Sequence, residues 1–271
     1  MRSEKRVNKT NRALQGGSLN IFTVFAVLFS ILFFSSCNSE SVPDCFQATG
    51  GIIKEEVVVE EFTAITVFDN VSLVVKQGET QKVEIETGEN LRNEVEAVVI
   101  DGRLILTDTN DCNYARDYGT TVIYVTTPNL KSIRSSTGFP VRSDGVLGFA
   151  SLSLLSESYT DPDAETTDGA FDLDLNVSSL SIIVNGIAYF KLKGAAENLS
   201  INIAAGDSRI EAEELMAQKV TINHRGSNDI LVNPQTSLSG VLRGTGDLQS
   251  YNRPPEVSIE ELYNGRLIFV E

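Results

Sequence analysis

The sequence predicts an all-β protein, built as a β-solenoid with coils of about twenty residues, with a β-sandwich as the competing architecture. Three observations predict it. Short apolar or alternating runs, each closed by turn residues, follow one another beyond residue 50. No long amphipathic helix interrupts them. Glycines at positions 186, 206, 226 and 244 recur about every twenty residues, each ending a run of the same pattern.

The first element is not part of the fold. Arg2, Lys5, Arg6, Lys9 and Arg12 make a basic start, and Leu19 to Phe34 is an apolar run of about sixteen residues. That is long for a signal peptide and short of the roughly twenty residues of a comfortable membrane span. The following "FSSC" resembles the lipobox of bacterial lipoproteins, with Phe34 where an aliphatic residue is usual. The resemblance implies that residues 1–36 are a lipoprotein signal peptide, that Cys37 is lipidated, and that a lipid anchor holds the chain to a membrane. An uncleaved anchor helix is the alternative, and either one exports the rest. Segment 1–36 carries those five basic residues against the single acid Glu4, so its loss deepens the formal charge from −15 to −19. So acidic a body repels nucleic acid and suits the solubility of an exported domain. Residues 37–50 read as a polar tether.

Residues 51–128 form the N-terminal β part. "VVVEEF", "AITVF", "VSLVVK" and "KVEIET" read as strands, "GENLRNEVEAVV" holds at most a helical turn, and "EAVVIDGRLILT" is a hairpin turning at Asp101-Gly102. "TTVIYVTTP" ends at Pro128. Residues 129–250 hold the repeats. Leu130, Ile133, Gly138 and Val141 suggest a degenerate first coil and "FASLSLLSES" a second; "YTDPDAETTDGA", residues 159–170, is an acidic insertion. In the runs starting at Leu180, Leu199, Val220 and Leu238, alternate residues face one way. Three inward columns result: Leu180, Leu199, Val220 and Leu238; Ile182, Ile201, Ile222 and Gly240; Val184, Ile203, His224 and Leu242. Phe190, Ile210, Ile230 and Leu248, four residues past each glycine, return the chain to the core. Ser181, Ser200, Thr221 and Ser239 face outward, as do Asn202 and Asn223, and these six residues are the candidate surface-binding columns. Pro254-Pro255 closes the repeats, and residues 251–271 read as a cap over the open end.

The pieces "FTAITVFDNVSLVVKQGE", "VEIETGENL", "DGRLILT" and "VIYVTTPNLKSI", followed by the glycine-punctuated repeats, resemble the family described as "putative auto-transporter adhesin, head GIN domain". The likeness spans about Gly51 to Gly265, although the family's Ser-Gly-Ser-Gly corners stand here as "SSTG", "VNGI", "AAGD", "HRGS" and "RGTGD". It implies a right-handed parallel β-helix, a lipoprotein of the Gram-negative envelope, at the outer membrane and facing either the periplasm or the surface, and no established activity. Cys45 and Cys112, the two cysteines besides Cys37, suit a disulfide in an exported chain, with two free buried thiols as the alternative. Their settings, "DCF" and "CNYAR", resemble a subgroup carrying both cysteines, which implies the disulfide.

No constellation spells out catalysis. His224 is the only histidine and has no nucleophile paired with it in sequence; a core histidine is the expectation. With no Cys-x-x-Cys, zinc is not expected, and no cofactor is. Asp161, Asp163 and Asp168 of the insertion, with Glu165, Asp172 and Asp174 nearby, are candidate cation ligands, but Thr166 stands where an EF-hand loop needs glycine. Asp207, Asp229 and Asp247 follow the corner glycines; such residues usually cap turns, and clustered acids on one edge are what a glycan-cleaving enzyme would need. Arg225 and Arg243 are expected to pair with Asp229 and Asp247, or else to hold an anionic glycan. The sequence therefore predicts a lipid-anchored, non-catalytic envelope protein with a surface role in binding a glycan or protein. A structural envelope protein without soluble ligand is the alternative, and a glycan-cleaving enzyme the less favoured one.

Overall fold

The computed structural model describes residues 44–68, 70–114, 117–160 and 166–270. Cys37, the signal segment 1–36, Asp161 and Asp163 lie outside the described residues. The fold is all-β. Seventeen strands, numbered in chain order, are joined by turns and by two short 3-10 segments, Asp44–Phe46 and Arg92–Glu94.

The strands pair into two ladders that share the long central strands. The first ladder runs β5 (Val95–Ile100), β6 (Arg103–Asp108), β2 (Ala64–Val67), β8 (Ser132–Ser135) and β10 (Ser151–Ser156). It continues through the second halves of β11 (Ala170–Val184), β12 (Tyr189–Ile203), β13 (Arg209–His224) and β14 (Ile230–Leu242), and ends on β16 (Glu256–Glu261). The second ladder runs β1 (Ile52–Val57), β4 (Lys82–Gly88), β7 (Thr121–Thr127), β3 (Val71–Gln77) and β9 (Pro140–Leu147). It passes through the first halves of β11 to β14 and ends on β15 (Leu248–Ser250) and β17 (Leu267–Phe269).

Parallel pairing dominates, but β1–β4, β4–β7 and β5–β6 are antiparallel. The expectation of a parallel β-helix throughout is corrected to a mixed sheet. The reason lies in the connections: a tight turn at Asp101 (φ 50°) and Gly102 (φ 72°) permits only an antiparallel hairpin between β5 and β6. The stack also begins earlier than residue 129, because β2 and β3 pair in parallel with β8 and β9. The short coils 64–77 and 132–147 therefore belong to it.

The core is a set of columns. Leu104, Ile65, Ile133, Leu154, Ile182, Ile201 and Ile222 stand in register on seven successive strands, none more than 1% exposed. Burying each such side chain stabilises the fold by about 1.5–3 kcal/mol, and a short coil gains this only from its neighbours. On the second ladder Phe171, Phe190, Ile210, Ile230 and Leu248 stack likewise, with the Phe171 and Phe190 rings 4.7 Å apart. At the corners the chain stacks on its own backbone: Asp207, Ser227 and Thr245 donate N–H groups to the carbonyls of Gly186, Gly206 and Gly226. A Cβ on Gly206 (φ 93°) would lie 2.1 Å from the Gly186 carbonyl oxygen, so the approach requires glycine.

A disulfide joins Cys45 to Cys112, and Tyr114 donates its N–H to the Cys45 carbonyl at 2.9 Å. Asn90 bonds the carbonyl of Ala48, and Gln47 bonds that of Asn90. Residues 45–50 are thus pinned to the body, which corrects the expectation of a tether over this part of 37–50. At the other end, β16 and β17 add a further parallel rung to β14 and β15, so segment 251–271 extends the stack where a lid was expected.

Candidate functional site

The long strands present two outer faces of opposite chemistry. On the second ladder the outward positions are charged and engaged with one another. Lys193 pairs with Asp174 at 3.4 Å, and Asp172 stands in register with Lys191. Arg209 pairs with Glu211 at 2.8 Å, and the Tyr189 hydroxyl donates to the same carboxylate. That bond, with burial, pushes the Tyr189 phenol up to about 12. Asp172 and Asp174 are therefore strand residues facing lysines, not ligands in a loop. Asp168 accepts a hydrogen bond from the Thr166 hydroxyl at 2.5 Å, and the described residues bring together no group of three metal-ligating side chains.

On the first ladder serine, threonine and asparagine recur at outward positions, with Ile183 and Val241 flanking the asparagines and Lys219 on the same face. Ser181, Ser200, Thr221 and Ser239 stand in register on four successive strands; Ser200 and Thr221 are exposed, and Ser181 and Ser239 are partly buried. The Thr221 and Ser239 hydroxyls are 3.5 Å apart. In the next column Asn223 donates from Nδ2 to Asn202 Oδ1 at 2.7 Å, one rung of an amide ladder. Adjacent strands are spaced about 4.8 Å apart, so the columns form a grid of hydroxyl and amide groups on the sheet. The six candidate residues fall on this one face. The signal that found them was the period-2 alternation inside each repeat.

Arg225 and Arg243 follow His224 and Leu242, which pair in register, and so occupy the same position on adjacent coils at the rim of that face. Both are exposed, and with Asn223 they line one shallow depression. Neither forms an ion pair with a described residue. The expected pairing with Asp229 and Asp247 is corrected for a geometric reason. Those carboxylates lie beyond the corner, immediately before Ile230 and Leu248, and are engaged there. Asp229 accepts the Asp247 N–H at 2.9 Å and the Gln249 amide at 3.0 Å, and Asp247 accepts the Arg266 N–H at 2.8 Å. In register, Arg209, Asp229, Asp247 and Arg266 form one column. Asp207 stands two residues off that column and accepts the Ser227 hydroxyl at 2.7 Å. Asp207, Asp229 and Asp247 thus each accept hydrogen bonds at a corner, as expected of turn-capping residues.

His224 lies in the core column between Ile203 and Leu242, fully buried. Its Nδ1 accepts the Gly226 N–H at 3.3 Å, and its Nε2 has no hydrogen-bond partner. Burial pushes the imidazole below the usual histidine range, so it is neutral at pH 7. It has no path to a substrate and belongs to the packing.

The comparisons with known proteins agree with this geometry. The family model described as "Putative auto-transporter adhesin, head GIN domain" matches residues 61–254. No curated protein matches the chain. Among solved structures, a protein named as a putative adhesin from Bacteroides fragilis superposes with a TM-score of 0.69 at 21% identity, covering 81% of this chain and 97% of that one. A protein named as a putative lipid binding protein from Parabacteroides distasonis gives 0.56 at 17% identity, covering 82% and 98%. A putative adhesin from Parabacteroides merdae gives 0.51 at 17% identity, covering 82% and 97%. At these identities the likeness establishes the fold.

Proposed function

The chain belongs to the head GIN domain family, and on that premise we propose that it is a non-catalytic binding protein of the cell envelope. In this reading residues 1–36 are removed, Cys37 carries the lipid, and the body stands on the outer membrane of a Gram-negative cell as a right-handed β-helix. The regular offset of about twenty residues between in-register strands β11 to β14 supports the winding. The disulfide between Cys45 and Cys112 suits export.

The observation that carries the binding role is the outer face of the first ladder. Four strands place Ser181, Ser200, Thr221, Ser239, Asn202 and Asn223 on one outer face, and Asp207, Asp229 and Asp247 each accept a hydrogen bond at a corner. A regular array of donors and acceptors matches the hydroxyls of an extended glycan or the edge of a protein partner. None of these six residues is aromatic, so recognition by them rests on hydrogen bonds. The test is a glycan array together with a pull-down from envelope extracts, using the processed chain. Retention of a glycan or a defined protein supports the reading; silence in both overturns it.

A further inference from the structure

We infer that Arg225 and Arg243 form an anion-binding clamp, and that the ligand of this face is an acidic polysaccharide held through its carboxylate or sulfate groups. The inference rests on the binding role proposed for the first ladder and specifies its ligand class.

The two arginines sit at the same position just past the ends of β13 and β14: Arg225 donates its N–H to the Ile203 carbonyl and Arg243 donates its N–H to the His224 carbonyl, so each follows the same inward position. Neighbouring strands are about 4.8 Å apart, and like charges directly opposite across strands are destabilising. The cost is relieved for other arginines of these coils. Arg209 pairs with Glu211, Arg266 with Glu261, and Arg253 lies over the Phe269 ring. Arg225 and Arg243 stay exposed and unpaired with any described residue, in a chain whose formal charge is −15. The acids nearest in sequence are unavailable, because Asp207, Asp229 and Asp247 are engaged at the corners.

The two side chains open on the same depression, and Asn223 lines it with them. Two guanidinium groups lining one depression can offer paired N–H donors to planar or tetrahedral oxyanions, a task for which arginine outperforms lysine. Beyond them runs the hydroxyl and amide grid, which has hydrogen bonds to offer a sugar chain. An acidic polysaccharide meets both features at once. The acidic body repels polyanions at long range, so affinity must come from contacts at short range, and a repeating ligand supplies them along the columns.

The test is calorimetric titration of the processed full chain with dextran sulfate, polygalacturonate and neutral dextran. The inference predicts binding of both charged polymers at least ten-fold tighter than of neutral dextran. It predicts loss of that advantage in Arg225→Ala with Arg243→Ala, partial retention in the paired lysine variant, and no change in Arg142→Ala, an exposed arginine of β9. Equal affinity for charged and neutral polymers overturns it, as does unchanged binding in the double alanine variant. Capture of phosphatidylglycerol vesicles without either polysaccharide overturns the glycan assignment. A glycan array that returns neutral glycans bound on this face, with no gain from charge, refutes the clamp and leaves the proposed function standing.

Discussion

Asp229 Oδ1 accepts the backbone N–H of Asp247 at 2.9 Å, so a side chain of one coil caps the backbone of the next. The same residue holds Gln249 through Oδ2 at 3.0 Å, and one coil on, Asp247 does the same for the Arg266 N–H. The corners are therefore latched by side chains as well as by the stacked backbone. Asp229→Ala removes two acceptors and leaves an N–H to find water; the expected loss is about 1–2 kcal/mol. Asp229→Asn keeps an oxygen for the N–H and should lose less. Urea midpoints of the two variants check the order.

Gly240 stands at φ 141°, and a Cβ there would lie 2.0 Å from the Ile222 carbonyl oxygen. This glycine interrupts the isoleucine column because the backbones of β13 and β14 approach too closely for a side chain. Gly240→Ala is expected to destabilise by about 3 kcal/mol or more, combining backbone strain with overpacking. Thermal unfolding followed by circular dichroism measures it, and a change near zero would show that the two coils can separate without cost.

His224 makes stability depend on pH in a defined direction. Its folded pKa is depressed by burial, whereas in the unfolded chain it titrates near pH 6.5. Between the two values the unfolded chain binds a proton that the folded chain refuses. Stability is thus unaffected by this group above about pH 6.5 and falls as pH is lowered through and below it. His224→Leu continues the column of Ile203 and Leu242 without a titrating ring. At pH 8 the variant should match or exceed the parent, and at pH 5 its relative advantage should grow by up to about 2 kcal/mol. Denaturant titrations at both values test the slope.

The Cys45–Cys112 bridge spans a sequence separation of 67 residues. In the chain-entropy model a loop of this length stabilises by about 4 kcal/mol. Replacing both cysteines by serine should lower the unfolding midpoint accordingly and speed proteolysis around Ala48, whose docking depends on Asn90. Retained protection of that segment would show that the hydrogen bonds alone hold it.

Much of this architecture was legible in the sequence because its physics is local. The columns through Leu180, Ile182 and Val184 follow from alternation within each run, and the hairpin at Asp101-Gly102 follows from turn chemistry. The parallel pairing of β2 with β8 joins Ile65 to Ile133, far apart in the chain and with a hairpin intervening, so no fixed period announces it. The pinning of residues 45–50 was equally hidden, since one asparagine side chain, Asn90, does much of it. At the site, alternation placed the serine and asparagine columns on one face. The position of Asp207, Asp229 and Asp247 just after the corner glycines marked them as turn caps, and each accepts a hydrogen bond there. Only the three-dimensional course of the corner shows that Asp229 and Asp247 turn away from Arg225 and Arg243.

The central claim is that the outer face of the first ladder is the binding surface, and one comparison tests it most directly. Ser200 and Thr221 are outward and exposed, so replacing both by glutamate, together with the outward, partly buried Ser239, covers the grid with charge and bulk while sparing the core. The account predicts that this variant keeps the parent's circular dichroism spectrum and loses the ligand retained by the parent in the array or pull-down. A folded triple variant that binds that ligand with the parent's affinity would contradict it.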